Sequence, residues 1–448
     1  MQNRKLVPID KPFDVRLELP GSKSFANRAI VCAAVAGAPC TIANLSPGDD
    51  TALMLNVLVD LGWRVERSSP LSREVMLTPP TKPPAHHVHV FTGPAGTVTR
   101  FAAALLTITP GRFTLDGNER MRERPMEPLI FALNELGATV VEEGKAGCVP
   151  LEIHGATLRG GKARMKGDVS SQFVSALLMV GPSRGGGIEI EIEGELVSKP
   201  YVDITIEVMK AFGFEVERDG YQWFRALETG NAGRVPYTCP PDGTAASYFW
   251  GAAAVAGGKC VIDGLTRQDV QGDVKFVDIL ERMGCEVLEF PNGLGVKRGQ
   301  TLFSHAKTGS DPLSPLRAVQ ADLSALPDCA QTLAVVCAFA EGTSRLTGLG
   351  TLRVKETDRI AALQAELKKL GVETRAGDDW LEIDGRGQTP FSQAKTGSDP
   401  LVATYDDHRM AMSFAIAGLR VPLEIENPEC VSKSFPTFWD YWARLQSP

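Results

Sequence analysis

The sequence predicts an α/β (α+β) fold: two similar domains, each of three repeated units of two helices and several strands, with buried parallel helices and a cleft between the domains. Three observations predict the repeats and the split. Six apolar helical segments share one form, a polar start, an apolar run and a closing glycine. A second series of glycines runs out of phase with the first. The 448 residues are too many for one hydrophobic core, and a Pro-rich break lies midway.

In chain order the apolar segments are "SKSFANRAIVCAAVAG", "GTVTRFAAALLTITPG", "SSQFVSALLMVG", "GTAASYFWGAAAVAG", "PDCAQTLAVVCAFAEG" and "DDHRMAMSFAIAG". They close at Gly37, Gly111, Gly181, Gly257, Gly342 and Gly418, at intervals of about 70 to 85 residues. Glycine just past a helix tolerates a left-handed backbone, so each reads as a helix stop. The second series is "LGWRV", "LGATV", "FGFEV", "MGCEV" and "LGVET". It places Gly62, Gly137, Gly213, Gly284 and Gly371 between an amphipathic helix and a strand, with "FPTFWDYWARLQSP" as the sixth such helix. Each unit therefore holds two helices and several strands. "YTCPPDG" (Tyr237–Gly243) marks the break, and "LPG" (Leu19–Gly21) a second crossing. The expected domains are 22–240, and 1–21 together with 241–448. "AKTGSDPL" occurs at Ala306–Leu313 and again at Ala394–Leu401, equivalent places in adjacent units. No Gly-rich strand-to-helix loop precedes either copy, so both read as a duplicated surface loop.

Composition narrows the function classes. The chain is 43% hydrophobic and 23% charged, ordinary for a globular protein. No apolar stretch reaches the roughly 18 residues that span a bilayer. "MQNRKLVPIDKPFDV" lacks the apolar core of a secretion signal. Nine cysteines without a Cys-x-x-Cys pair fit reduced cytosolic thiols, so a cytoplasmic protein is expected. His87 and His89 share one face of a strand but have no Cys or acidic partner nearby, so no metal is expected. A net charge of −7 argues against nucleic acid, yet small anions respond to local fields.

Those fields concentrate at helix starts. The N-terminus of a buried helix carries orphan N–H groups and partial positive charge. Lys23, Ser24 and Arg28; Thr97 and Arg100; Ser170 and Ser171; and His408 and Arg409 stand at four of the six. The serines and threonine serve equally well as caps. Lys23, Arg28, Arg100 and Arg409 do not, because a cap supplies an acceptor. If three such helices run parallel around a pseudo-threefold axis, their N-termini make an anion-binding face. "RMRERP", "RVKETDR" and "KSFP" add cations, with Lys355 and Arg359 expected one turn apart on one helix. Asp49, Asp50, Asp328, Glu356 and Asp407 interleave them. Asp49 and Asp50 either orient Lys23 or cap a helix, and Asp358 reads as a partner to a nearby arginine. Carboxylates embedded among cations suit a proton transfer beside a bound polyanion.

"LPGSKSFANRA", "GPAGTVTRF", "RMRERP", "GDVSSQF", "LVSKPYVDIT", "LPDCAQT", "RVKETDR" and "YDDHRMAM" resemble, in order over nearly the whole chain, the 5-enolpyruvylshikimate-3-phosphate synthases. The resemblance implies two domains of three βαβαββ-type units closing over their substrates. It implies an enzyme that transfers the enolpyruvyl group of phosphoenolpyruvate to the 5-hydroxyl of shikimate 3-phosphate. Lys23, Ser24, Arg28, Ser170, Ser171, Gln172, Ser198, Tyr201, Asp328 and Lys355 would hold shikimate 3-phosphate. Lys23, Gly96, Arg124, Gln172, Arg359, Arg409 and Lys433 would meet phosphoenolpyruvate. Asp328 and Glu356 would form the acid/base pair, with Lys23 at the bridging oxygen. No cofactor, metal, nucleic acid or membrane is implied, and a cytoplasmic monomer that compacts on binding shikimate 3-phosphate is expected. Pro94, Phe101 and Thr351 depart from the common Asn, Pro and Asn of the family. A sister transferase acting on a UDP-amino sugar shares the fold but carries a reactive cysteine where this chain reads "GNERMRERP". A non-catalytic anion-binding repeat protein, the remaining alternative, needs no carboxylate pair.

Overall fold

The computed structural model describes residues 3–82, 84, 87–168, 170–183, 186–228, 236–299, 315–387 and 399–446. The first "AKTGSDPL" copy, all but the last three residues of the second, and Ala85 and His86 lie outside the described residues. By contacts the chain divides into two units, Pro20–Pro240, and Met1–Leu19 with Pro241–Pro448.

The Pro20–Pro240 unit carries α1 (Lys23–Ala36), α2 (Asp49–Asp60), α3 (Gly96–Ile108), α4 (Glu127–Glu135), α5 (Ser171–Val180) and α6 (Pro200–Ala211). α1, α3 and α5 are buried along most of their length and pack on one another. α3 and α5 each link two parallel strands, a connection that needs a crossover rather than a tight turn. Thus Val88–Phe91 pairs in parallel with Arg112–Asp116, which pairs antiparallel with Leu151–His154 and through it Thr139–Glu142. Gly161–Lys166, Ile188–Glu193, Trp223–Ala226 and Val216–Asp219 repeat that order. The remaining sheet takes its parallel edge, Tyr237–Thr238, from the far end of the unit, beside Cys40–Ala43.

The other unit carries α7 (Gly243–Ala256), α8 (Phe276–Arg282), α9 (Ala330–Ala338), α10 (Arg359–Lys369), α11 (His408–Gly418) and α12 (Phe438–Ala443). Its buried helices are α7, α9 and α11. Ser247, Thr332 and Ser413, one from each, join them through hydroxyl contacts of 3.2 and 3.3 Å. Phe13–Leu17 supplies the parallel edge beside Gly258–Asp263. The last sheet borrows Arg4–Leu6 from the start of the chain in place of a hairpin of its own. Among the described residues no helix is long and apolar enough to cross a membrane, and no group of three or more His, Cys, Asp or Glu is placed to hold a metal ion.

The two glycine series differ in kind. Gly62, Gly137, Gly213, Gly284 and Gly371 all have φ between 73° and 105°, the left-handed backbone that glycine adopts at least cost. The first series is mixed, which corrects its reading as six stops. Gly37 closes α1 with φ 64°, but Gly342 lies within the strand Ala340–Thr347. Gly181 and Gly418 are right-handed or helical, and close packing explains them: a Cβ on each would fall 2.6 Å from Ala226 and Leu6 respectively.

Candidate active site

In the unit holding α7–α12, one buried guanidinium organises three carboxylates. Asp358 caps α10, its Oδ1 accepting from the N–H groups of Ile360 and Ala361 at 3.1 Å. That cap fixes Arg359 at the first helical position, where its side chain is 1% exposed. Its Nε donates to Asp407 (2.7 Å), its Nη1 to Asp328 (3.3 Å) and its Nη2 to Glu356 (2.9 Å). Asp407 also caps α11, accepting from the Arg409 N–H at 2.9 Å. The Arg409 guanidinium returns to Asp328 at 2.7 Å and donates to the Tyr248 hydroxyl at 3.2 Å. Lys433 Nζ closes the chain of charges 2.9 Å from Glu356. Asp328 and Glu356 thus each lie between two cations. Burial alone would pull the Arg359 guanidinium down, but Asp407, Glu356 and Asp328 hold it above its ordinary value.

Behind Asp328 stands another carboxyl. Asp273, 4% exposed, accepts from the Cys329 thiol at 3.2 Å. Burial, then the like charges of Asp328 and Asp242, push it up to about 6.

In the Pro20–Pro240 unit the polar groups gather at the N-termini of α1, α3 and α5. Lys23 Nζ is 3.0 Å from Asp50 Oδ2. One turn on, Arg28 is enclosed; it donates to Ser24 O (2.9 Å), Thr205 Oγ1 (2.7 Å), Ser175 Oγ (3.3 Å) and Tyr201 O (3.0 Å), and lies over the Phe101 ring. Burial lowers it to about 10. Ser170 caps α5, its Oγ accepting from the Gln172 N–H. Gln172 in turn accepts from Arg100 at 2.7 Å and donates to Thr97 Oγ1 at 3.1 Å, so α3 and α5 begin side by side. Arg124 donates to Pro94 O at 3.2 Å and rests against Gly96. The proline costs this loop a backbone donor, yet its carbonyl still holds the arginine.

Residues 8–442 match the family described as EPSP synthase (3-phosphoshikimate 1-carboxyvinyltransferase). The chain belongs to the EPSP synthase family. Among similar proteins, the 3-phosphoshikimate 1-carboxyvinyltransferase of Laribacter hongkongensis is 42% identical over 96% of both chains. The one from Sulfurovum is 39% identical over all of both. A solved EPSP synthase structure from Acinetobacter baumannii superposes with a TM-score of 0.79 at 26% identity, covering 99% of this chain and 98% of its own.

The charged network contains Asp328 and Glu356, the two carboxylates that the sequence singles out. Asp328, Glu356, Arg359, Arg409 and Lys433 are brought together directly. Lys23, Ser24, Arg28 and Tyr201 form a second group, and Gly96, Arg124, Ser170, Ser171 and Gln172 cluster about the starts of α3 and α5. Ser198 precedes α6 with φ 54°. Lys355 corrects the sequence reading. It is extended, outside any helix, because the Asp358 cap starts α10 three residues after it. Asp50 pairs with Lys23, and Asp358 both caps a helix and pairs with Arg353 at 2.8 Å. Arg100 and Arg28 bind protein groups. Sequence reasoning missed Tyr248, hidden in the apolar run of α7, and Asp273, whose "QGD" carries no cluster of charge to mark it. All nine cysteines are buried.

Proposed function

We propose that the chain transfers the enolpyruvyl group of phosphoenolpyruvate to the 5-hydroxyl of shikimate 3-phosphate, forming 5-enolpyruvylshikimate 3-phosphate and inorganic phosphate. The observation that carries this reading is the pair of carboxylates, Asp328 and Glu356, each set between two cations, in a member of this family.

Addition needs a proton taken from the hydroxyl and another delivered to the methylene carbon. Elimination takes a proton back from that carbon and expels phosphate. Asp328 accepts the hydroxyl proton, and Glu356 serves the carbon in both directions. Lys23, oriented by Asp50, stabilises negative charge on the bridging oxygen. Arg124, Gln172, Arg359, Arg409 and Lys433 bind phosphoenolpyruvate. Gly96 lets it reach backbone N–H groups at the start of α3. Ser24, Ser170, Ser171, Ser198, Tyr201 and Lys355 bind shikimate 3-phosphate, and Arg28 acts by tying Ser24 to Tyr201. The Thr351 hydroxyl, shielded and without a hydrogen-bond partner among the described residues, takes the contact that asparagine makes elsewhere in the family. The enzyme works as a cytoplasmic monomer. Phosphate release from phosphoenolpyruvate, measured with and without shikimate 3-phosphate, tests the reading. Release that ignores shikimate 3-phosphate, or follows a UDP-amino sugar instead, overturns it.

A further inference from the structure

We infer that Glu366 and Tyr405 are positioning residues for Asp407 and Arg409, acting as a clamp that keeps the phosphoenolpyruvate-binding guanidiniums in place. The inference rests on the functional reading above, since that reading assigns the guanidiniums their ligand.

Glu366 lies on α10, two turns beyond Arg359, and its side chain is 0% exposed. Its Oε2 accepts from the Ala403 N–H at 2.9 Å and from Lys369 Nζ at 2.7 Å, and its Oε1 from the Tyr405 hydroxyl at 2.7 Å. A buried carboxylate is costly unless paired, and three donors meet this one. Two of the three belong to the segment Ala403–Asp407.

That segment needs holding. Tyr405 and Asp406 both have left-handed backbones, with φ of 55° and 56°. For residues with a Cβ such a conformation is strained. Asn427 steadies Asp406, donating to its carboxylate at 3.0 Å. The turn then delivers Asp407, whose carboxylate accepts from Arg359 and caps α11 at Arg409. One face of α10 therefore grips the segment at both ends, Glu366 at Ala403 and Tyr405, and Arg359 at Asp407. Seven residues separate the grips, about 10 Å of helix. If the first lets go, the strained turn relaxes, Asp407 shifts, and both Arg359 and Arg409 lose their reference point. Burial and the Glu366 contact push the Tyr405 phenol up to about 12, so it remains a donor throughout the working range.

Steady-state kinetics on Glu366→Gln and Tyr405→Phe, with thermal melts of each, test the clamp. The wild-type chain must first release phosphate in the presence of both substrates; if it does not, the functional reading fails, whatever the variants do. With that in place, Glu366→Gln should raise the KM for phosphoenolpyruvate about tenfold while the KM for shikimate 3-phosphate stays within about twofold. Tyr405→Phe, which removes one hydroxyl from a half-exposed ring and spares the fold, should raise the same KM about threefold. A lowered melting temperature with both KM values unchanged, or an equal rise in both, overturns the clamp. If Glu366→Gln does not fold, Tyr405→Phe alone decides by the same split.

Discussion

Gly96 and the guanidinium of Arg124 are in direct contact: a Cβ on Gly96 would lie 2.7 Å from Cζ, Nη1 and Nη2 of the arginine. No real Cβ tolerates that distance, so Gly96→Ala must move Arg124 off its bond to the Pro94 carbonyl. The obstacle is the far end of a long side chain, which can swing, so the fold should keep its stability within about 1 kcal/mol. The expected kinetic result is a KM for phosphoenolpyruvate raised about tenfold, with the KM for shikimate 3-phosphate little changed. An alanine variant with wild-type kinetics would show that Arg124 does not meet phosphoenolpyruvate.

Asp328→Asn and Glu356→Gln separate chemistry from binding. Both substitutions keep shape and a hydrogen-bonding oxygen but abolish the base. General acid–base contributions run at about 10²–10⁴-fold, so kcat should fall by that order in each variant. Shikimate 3-phosphate binding, followed by calorimetry, should survive in both. Lost binding with lost turnover would instead make the two carboxylates struts for Arg359 and Arg409.

Arg359 tests the network as a structure. Arg359→Met leaves Asp328, Glu356 and Asp407 without their shared cation, Asp407 in a fully buried position. Breaking a buried ion pair on one side costs about 3–5 kcal/mol, and urea unfolding at pH 7 should show a loss of that size. A loss under about 1 kcal/mol would mean that packing, rather than charge, holds this region.

The pattern of core helices was legible in the sequence because each unit must bury one apolar rod and leave its N-terminus polar, and that pairing survives as a linear string. The charged motifs were legible for the same reason: Asp328, Glu356, Arg359 and Arg409 all sit within a few residues of a helix start. Lys355 was misread because an i,i+4 spacing carries no notice of the Asp358 cap that cuts the helix off between them. Glu366 reads from sequence as an ordinary charge on an amphipathic helix, and only the fold brings Tyr405 to it from 39 residues away. The glycines divided by cause in the same way. A left-handed φ follows from local chain direction, whereas the space denied to a Cβ at Gly181 or Gly418 depends on strands far along the chain.

Asp273 gives a prediction in pH. Its carboxyl titrates at about 6 in the folded chain against 3.8 ordinarily, so the protonated form favours folding. Between those values the folded chain binds more protons than the unfolded one, and stability from this group, complete below the ordinary value, is lost as pH rises through about 6. Asp273→Asn is uncharged throughout and keeps an oxygen for the Cys329 thiol. Relative to wild type it should therefore gain about 2 kcal/mol between pH 4.5 and pH 7.5, read from urea unfolding at the two values. The wild-type chain should lose stability over the same interval by that component, with every other titrating group cancelling in the comparison. If the stability difference between the two chains is the same at both values, Asp273 is ionised across the whole interval and the like charges of Asp328 and Asp242 are borne in the fold.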